Sequence, residues 1–292
     1  MGSDPATLEC VVNVSEGRDE TVLRELAASC ADVLLDLHRD PWHHRSVMTL
    51  GGPAPAVEAA ARALAASAVA LLDLGPHRGA HPRFGVIDVV PFVPLGAPAG
   101  RVPADLHAAV RARDRFAAWA GRELSLPCFL YGPLPGGSAR SLPDIRRRAF
   151  VTMWPDSGPR HAHPTAGATA VGARGLLVAY NLWVGGAGVD VASGVARAIR
   201  GEQVRALGFD LDGAAQVSCN LVDPDDVGPA QVFDQVAALL RAAGARIERA
   251  ELVGLIPASV LSRTPRHRWP ELDIGPDLTI EARLGDPSLR TR

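Results

Sequence analysis

Short aliphatic runs alternate with helix-period segments along the chain. Leu8-Glu9-Cys10-Val11-Val12-Asn13-Val14 reads as a strand, and Ser15-Glu16-Gly17-Arg18-Asp19 follows as a polar turn. From about Asp19 to Cys30, Val22, Leu23, Leu26 and Cys30 recur on one helical face. Val33 to Leu37 and Ser46 to Leu50 read as two further strands, separated by a polar, His-crowded loop from Asp36 to Arg45. A helix is predicted from about Ala54 to Asp73, with Val57, Ala60, Ala61, Leu64, Ala68, Leu71 and Leu72 inward and Gly75-Pro76 as its stop. Val86 to Val93 is a fourth strand. The order is β-α-β-β-α-β, the ferredoxin-like unit.

The next predicted elements are a helix from about Pro103 to Leu124 and a strand from Cys128 to Tyr131. From Gly132 to Gly172 the chain is rich in Gly, Pro, Arg and His and reads as a long functional connection rather than packed structure. The pattern then repeats. Leu176–Trp183 is a strand, Val189–Arg200 a helix, Gln203–Phe209 a short strand, and Ala215–Leu221 alternates with period two. Pro229–Ala243 is a helix and Ile247–Leu255 the closing strand. Residues after about Thr264 are polar and rich in Pro and Arg, and read as an ordered lid at most.

The expected fold class is therefore α+β: two ferredoxin-like βαββαβ subdomains, residues 1–172 and 173–292. Their strands are apolar on both sides, so the open sheet faces are expected to stack, with a cleft or tunnel between them as the natural ligand site.

Composition narrows the chemistry. Hydrophobic residues are 47% and charged residues 21% of the 292, and the net charge is −2, so no basic field recruits nucleic acid or an anionic membrane. All thirty basic residues are Arg, which excludes a Schiff-base or P-loop lysine and leaves anion binding to guanidinium or imidazole. Cys10, Cys30, Cys128 and Cys219 are scattered, with no C-x-x-C pair, so neither a zinc site nor a disulfide framework is expected. No basic-then-apolar leader is read at the N-terminus, and the apolar runs are short and broken, so a cytoplasmic protein with no membrane span is expected.

Three polar stretches concentrate candidate residues where strands end. The first, Asn13 to Arg18, offers Asn13 and Glu16. The second, Asp36 to Ser46, offers Asp36, His38, Asp40, His43, His44 and Arg45. No H-E-x-x-H spacing occurs there, and no metal is expected. In the third, His77-Arg78-Gly79-Ala80-His81-Pro82-Arg83-Phe84-Gly85, His81 is flanked by glycines, held extended by Pro82, and neighboured by Arg78 and Arg83. Such a histidine suits acid-base work near neutral pH, and its local features suit a simple turn histidine equally well. The run from Gly158 to Gly167, with His161 and His163, reads either as a loop admitting a flat ligand or as a linker.

Six segments then carry a resemblance. V-V-N-V-S-E-G-R, L-L-D-L-x5-H-H-R-S-V, G-A-H-P-R-F-G-V-I-D-V-V-P-F-V-P, L-Y-G, D-S-G-P…G-A-T-A-V-G-A-R and V-S-C-N-L-V-D occur in this order over nearly the whole chain. Together they resemble the glutamate formimidoyltransferase (formiminotransferase) family, and the H-P-R-x-G-x-x-D-x-x-P-F block is long and specific. The resemblance implies transfer of a formimidoyl group from N-formimidoyl-L-glutamate to N5 of tetrahydrofolate as co-substrate, without a metal. It also implies two ferredoxin-like subdomains with a tunnel between them, and a homodimer. The family's catalytic histidine matches His81, and its folate-binding stretch matches Gly158, Pro159, Arg160, His161, Ala162, His163, Pro164, Thr165, Ala166 and Gly167. Asn13, Glu16, Asp36, Asp40, His44, Arg45 and Arg83 are the expected substrate-binding set, with Arg45 and Arg83 clamping the glutamate carboxylates. Better-known members carry an aromatic at Ala166 and an acidic residue at His38. Some members continue into a cyclodeaminase domain, which this chain is too short to contain.

Two other enzyme readings and one binding reading remain open on the residues. A folate-dependent transferase with a different formyl or formimidoyl donor is separated by donor assays. A non-catalytic folate-binding paralogue predicts binding without turnover. A metal-dependent hydrolase using the His-rich loop predicts loss of activity to chelators.

Overall fold

The computed structural model describes residues 6–80, 83–96 and 106–286. Among these, two compact units divide between Arg174 and Gly175, and the fold is mixed α and β. The first unit runs β1 (Thr7–Val14), α1 (Glu20–Ser29), β2 (Leu34–Asp40), β3 (Arg45–Pro53), α2 (Ala54–Leu71) and β4 (Ile87–Pro94). It continues through α3 (His107–Glu123), β5 (Cys128–Pro133), β6 (Ala139–Arg140), α4 (Leu142–Arg148) and β7 (Thr169–Ala173). Its strands form one sheet in the order β2-β3-β1-β4-β7-β5-β6. The pairings among β1 to β4 are antiparallel, whereas β7 runs parallel to both β4 and β5.

Alternation along the strands explains the core. Leu8, Cys10, Val12 and Val14 of β1 face α1, α2 and α3, joining Leu23, Leu26, Val57, Leu64, Ala112 and Phe116 in one buried cluster. Each large side chain fully removed from water there stabilises the fold by about 1.5–3 kcal/mol. By composition and length α2 suffices to cross a bilayer, contrary to the expectation that every apolar run is short. Here Val57, Ala61, Leu64 and Ala68 of that helix are buried in the core.

The stretch from Gly132 to Gly172 corrects the sequence expectation. It is packed structure: it holds β6, α4 and most of β7, and Ile145 and Met153 form a second small cluster with Phe129, Tyr131 and Val89. Ser141 caps α4 by accepting from the Asp144 amide at 3.2 Å. The sequence obscures this because small residues carry β7 and only Ile145 of α4 is buried.

The second unit runs β8 (Val178–Gly185), α5 (Val189–Ile199), β9 (Val204–Leu211), β10 (Ala214–Leu221), α6 (Pro229–Ala242) and β11 (Arg246–Val253), then α7 (Ala258–Ser262) and α8 (Ile280–Gly285). Its sheet has the order β11-β8-β10-β9, all antiparallel, which is the arrangement β4-β1-β3-β2 of the first unit repeated. The segment after Thr264 is no lid. Leu272, Ile274, Leu278 and Ile280 are buried, the first three within the second core, and the Tyr180 hydroxyl donates to the Leu272 carbonyl at 3.0 Å.

Candidate functional site

The stretch expected as a loop from Asp36 to Arg45 is largely strand. Asp36, His38 and Asp40 lie on β2, opposite Thr49, Val47 and Arg45 of β3. Val47 is in turn opposite Asn13 of β1. Period-two alternation therefore puts Asn13, Asp36, His38, Asp40 and Arg45 on one sheet face, turned away from α1 and α2. Only Pro41 to His44 form the turn. It is pinned between two glycines: a Cβ at Gly17 would sit 2.3 Å from the Asp40 carbonyl oxygen, and one at Gly79 would sit 2.4 Å from the His43 carbonyl oxygen. No larger residue permits those approaches.

The turn is built by acceptors. Asp40 Oδ1 takes the amides of Trp42 and His43 at 2.9 and 2.8 Å. Glu16 Oε1 takes those of Gly17, Arg18 and Asp19 at 2.8, 2.6 and 3.0 Å. His44 has a left-handed backbone, φ 47°, and its Nδ1 accepts from the Gly17 amide at 3.3 Å, with Glu16 Oε1 at 3.5 Å. Its ring lies 4.0 Å from that of His77. Burial lowers the pKa of His44, with Arg18 and Arg83 adding to the effect and Glu16 opposing it. His77 is pushed down to about 4 by burial, then by Arg83 and His44.

Arg83 donates to His77 Nδ1 and, through Nη2, to the His43 carbonyl at 3.2 Å. With Leu74, His77, Arg78 and Gly79 it lines a cavity of about 340 Å³. Arg45 is held below its usual pKa by burial, against the pull of Asp40 and Asp88, and its buried Nε has no hydrogen-bond partner among the described residues. Asp88, on β4, is buried and accepts from the Phe84 amide at 2.9 Å and from Arg146 Nη2 of α4 at 2.5 Å.

The glycine-rich run splits into two parts. His163 and Gly167 exchange backbone hydrogen bonds of 2.8 and 3.0 Å, and His163 Nδ1 accepts from the Ala166 amide at 3.0 Å, closing a tight turn. That turn docks beside the third polar loop: the Leu74 amide donates to Thr165 O, that of Val86 to Ala166 O and that of Ala168 to Phe84 O, at 2.8, 3.0 and 2.9 Å. Gly167 has φ 71°, and a Cβ there would lie 2.2 Å from Phe84 O. Ala166 and Gly167 are buried, and their backbone groups are engaged within the fold. Gly158, Arg160, His161, Ala162 and Pro164 are exposed, and Pro159, His163 and Thr165 are half-buried.

His81 and Pro82 lie outside the described residues. Of the substrate-binding set, Glu16, His44 and Arg83 meet through the turn and His77, and Asp40 and Arg45 are register partners beside them. Asp36 and Asn13 lie further along the same face, and Asn13 Nδ2 donates to the Val11 carbonyl at 3.5 Å. Sequence reasoning missed His77, Asp88 and Arg146 as parts of the site. Asp88 carried a signal, a lone charge inside the apolar run Val86-Ile87-Asp88-Val89-Val90.

Residues 7–174 match the formiminotransferase domain, N-terminal subdomain. The chain is 34% identical over 275 residues to the glutamate formimidoyltransferase of Streptococcus pyogenes serotype M1, covering 87% of this chain and 90% of that protein. It is 33% identical over 278 residues to the glutamate formimidoyltransferase of Thermoplasma acidophilum, covering 87% and 89%. Against the formimidoyltransferase-cyclodeaminase of Sus scrofa the identity is 32% over 281 residues, 87% of this chain and 51% of that protein, so the chain spans about half of the larger relative.

Proposed function

The chain belongs to the formiminotransferase family and is a transferase, and from that premise we propose that it moves the formimidoyl group of N-formimidoyl-L-glutamate to N5 of tetrahydrofolate, with His81 relaying the proton. In this reading the two βαββαβ units are ferredoxin-like subdomains of a cytoplasmic homodimer.

The observation that carries the reading is the pairing of Arg83, in the third polar loop, with the buried Arg45. Arg83, two residues from His81, is anchored to His77 and to the His43 carbonyl, and Arg45, whose buried Nε has no hydrogen-bond partner among the described residues, is within electrostatic reach of Arg83. Guanidinium forks suit the two carboxylates of a glutamyl donor. The run Gly158 to Gly167, with Gly158, Arg160, His161, Ala162 and Pro164 exposed, is offered to tetrahydrofolate, and its turn is hydrogen-bonded to residues 84–86 on the far side of the same loop.

The chemistry is a transfer of one carbon between two nitrogens. N5 of tetrahydrofolate, neutral at pH 7, attacks the amidine carbon and forms a new C–N bond. The tetrahedral adduct then breaks its bond to the glutamate nitrogen, which needs a proton to leave as an amine. His81 takes a proton from the attacking nitrogen and returns one to the departing nitrogen, so no net charge is created and nothing is oxidised or reduced. Such a relay contributes about 10²–10⁴-fold, and holding both substrates in one site adds the proximity effect. The test is conversion of tetrahydrofolate to 5-formimidoyltetrahydrofolate by the purified protein, followed by its absorbance. A protein that binds tetrahydrofolate but forms no product from N-formimidoyl-L-glutamate contradicts the reading.

A further inference from the structure

One buried carboxylate ties together parts of the first unit that are far apart in sequence. Asp88 is 2% exposed and sits on β4. It accepts from the Phe84 amide at 2.9 Å, three residues beyond His81. It also accepts from both terminal nitrogens of Arg146, at 2.5 and 3.5 Å, across from α4. The Arg146 guanidinium additionally lies over the Phe84 ring, 5.8 Å from its centre. Arg45 and Arg83 are within electrostatic reach of both Asp88 and Arg146.

Three guanidinium groups gathered in a partly buried place repel one another, and a buried carboxylate among them offsets that repulsion. Asp88 is buried and engaged at both oxygens by Phe84 and Arg146. Its two partners are the chain that follows His81 and the arginine of a helix that otherwise meets the sheet through apolar contact. We propose that the Asp88–Arg146 pair is a positioning device: it fixes Phe84, and through it the end of the His81 loop, and sets the spacing of Arg45 and Arg83 toward the donor's carboxylates. This inference rests on the reading that the site transfers a formimidoyl group from a glutamyl donor.

The test uses the full chain with both pair members neutralised, Asp88→Asn with Arg146→Gln. The amide oxygen introduced by Asp88→Asn still accepts from the Phe84 amide, and neither member of the pair is left as a lone charge, so the double variant folds and melts near the parent. The KM for N-formimidoyl-L-glutamate is expected to rise about tenfold or more while that for tetrahydrofolate stays within about twofold. A pair that is only structural leaves both constants unchanged once the fold is intact, and that result overturns the inference. So does an equal rise in both. Arg146→Lys, which keeps the charge and loses the two-point geometry, is the second probe, with a smaller rise expected for the donor alone; an unchanged donor KM there overturns the inference even if the double variant does not fold. His81→Ala is assayed alongside. If it loses turnover while the pair variants match the parent, only the positioning role falls; if it retains turnover, the functional reading falls and this inference with it.

Discussion

The Arg83 guanidinium donates to Nδ1 of His77, whose Nε2 lies 3.0 Å from the His44 carbonyl oxygen. A guanidinium has no lone pair to offer, so Nδ1 is the bare nitrogen and Nε2 carries the proton given to His44. The network thus assigns a neutral imidazole with a defined tautomer. Protonating it places two cations in contact, which is why Arg83 adds to burial in lowering the His77 pKa.

That assignment sets a pH dependence. The unfolded chain binds a proton at His77 below its usual 6.5, whereas the folded chain does so only near 4. Between those values the unfolded state holds more protons, so stability is fullest above the upper one and falls as pH drops toward the lower. His44 shifts in the same direction and adds to the slope. His77→Gln is expected to flatten the decline in melting temperature between about pH 7 and pH 5. Parallel curves for the variant and the parent would remove this assignment.

Arg83 is expected to act on donor binding. Replacing it with Gln removes a charge-assisted contact worth about 1.5–3 kcal/mol. The KM for N-formimidoyl-L-glutamate should therefore rise about 10–100-fold, with a smaller effect on the tetrahydrofolate constant. Steady-state kinetics with each substrate varied in turn decide this. A rise confined to tetrahydrofolate would move Arg83 to the other substrate.

Gly167→Ala tests the contact between the His163–Gly167 turn and residues 84–86. The new methyl meets Phe84 O at 2.2 Å, and the backbone φ of 71° is unfavourable for Ala. A loss of about 1–3 kcal/mol in urea unfolding is expected, together with lower turnover because the turn abuts the His81 loop. Full stability would show that the turn and the loop separate freely.

Leu272→Ala tests the corrected role of the C-terminal segment. The side chain is fully buried in the second core. Its removal should cost about 2–5 kcal/mol by chemical denaturation, as for other buried leucines. A surface lid would lose almost nothing.

Much of this was legible beforehand, and the failures have physical reasons. The aliphatic run Leu8–Val14, the alternation in Ala215–Leu221 and the helical periodicity of Val57, Ala61 and Leu64 locate strands and helices, because each buries one face in a core. Asp36 and Asp40 read as loop residues because they are polar, yet they sit on the sheet face away from the helices, where polarity does not mark a turn. α4 escaped notice because Ile145 is its only buried residue. Leu272, Ile274 and Leu278 are spaced among charges and prolines without a regular period, since irregular chain covers the core there. At the site, residue type pointed to Glu16, His44 and Arg83, while the roles of His77 and Asp88 came largely from His44 and Arg146, partners distant in sequence.

The central claim is that His81 relays the proton in formimidoyl transfer, and the most direct test is the initial rate of 5-formimidoyltetrahydrofolate formation by His81→Ala at saturating concentrations of both substrates. The expected result is a folded protein that still binds tetrahydrofolate and whose turnover falls by about 10²–10⁴-fold. Turnover within about twofold of the parent would contradict the account.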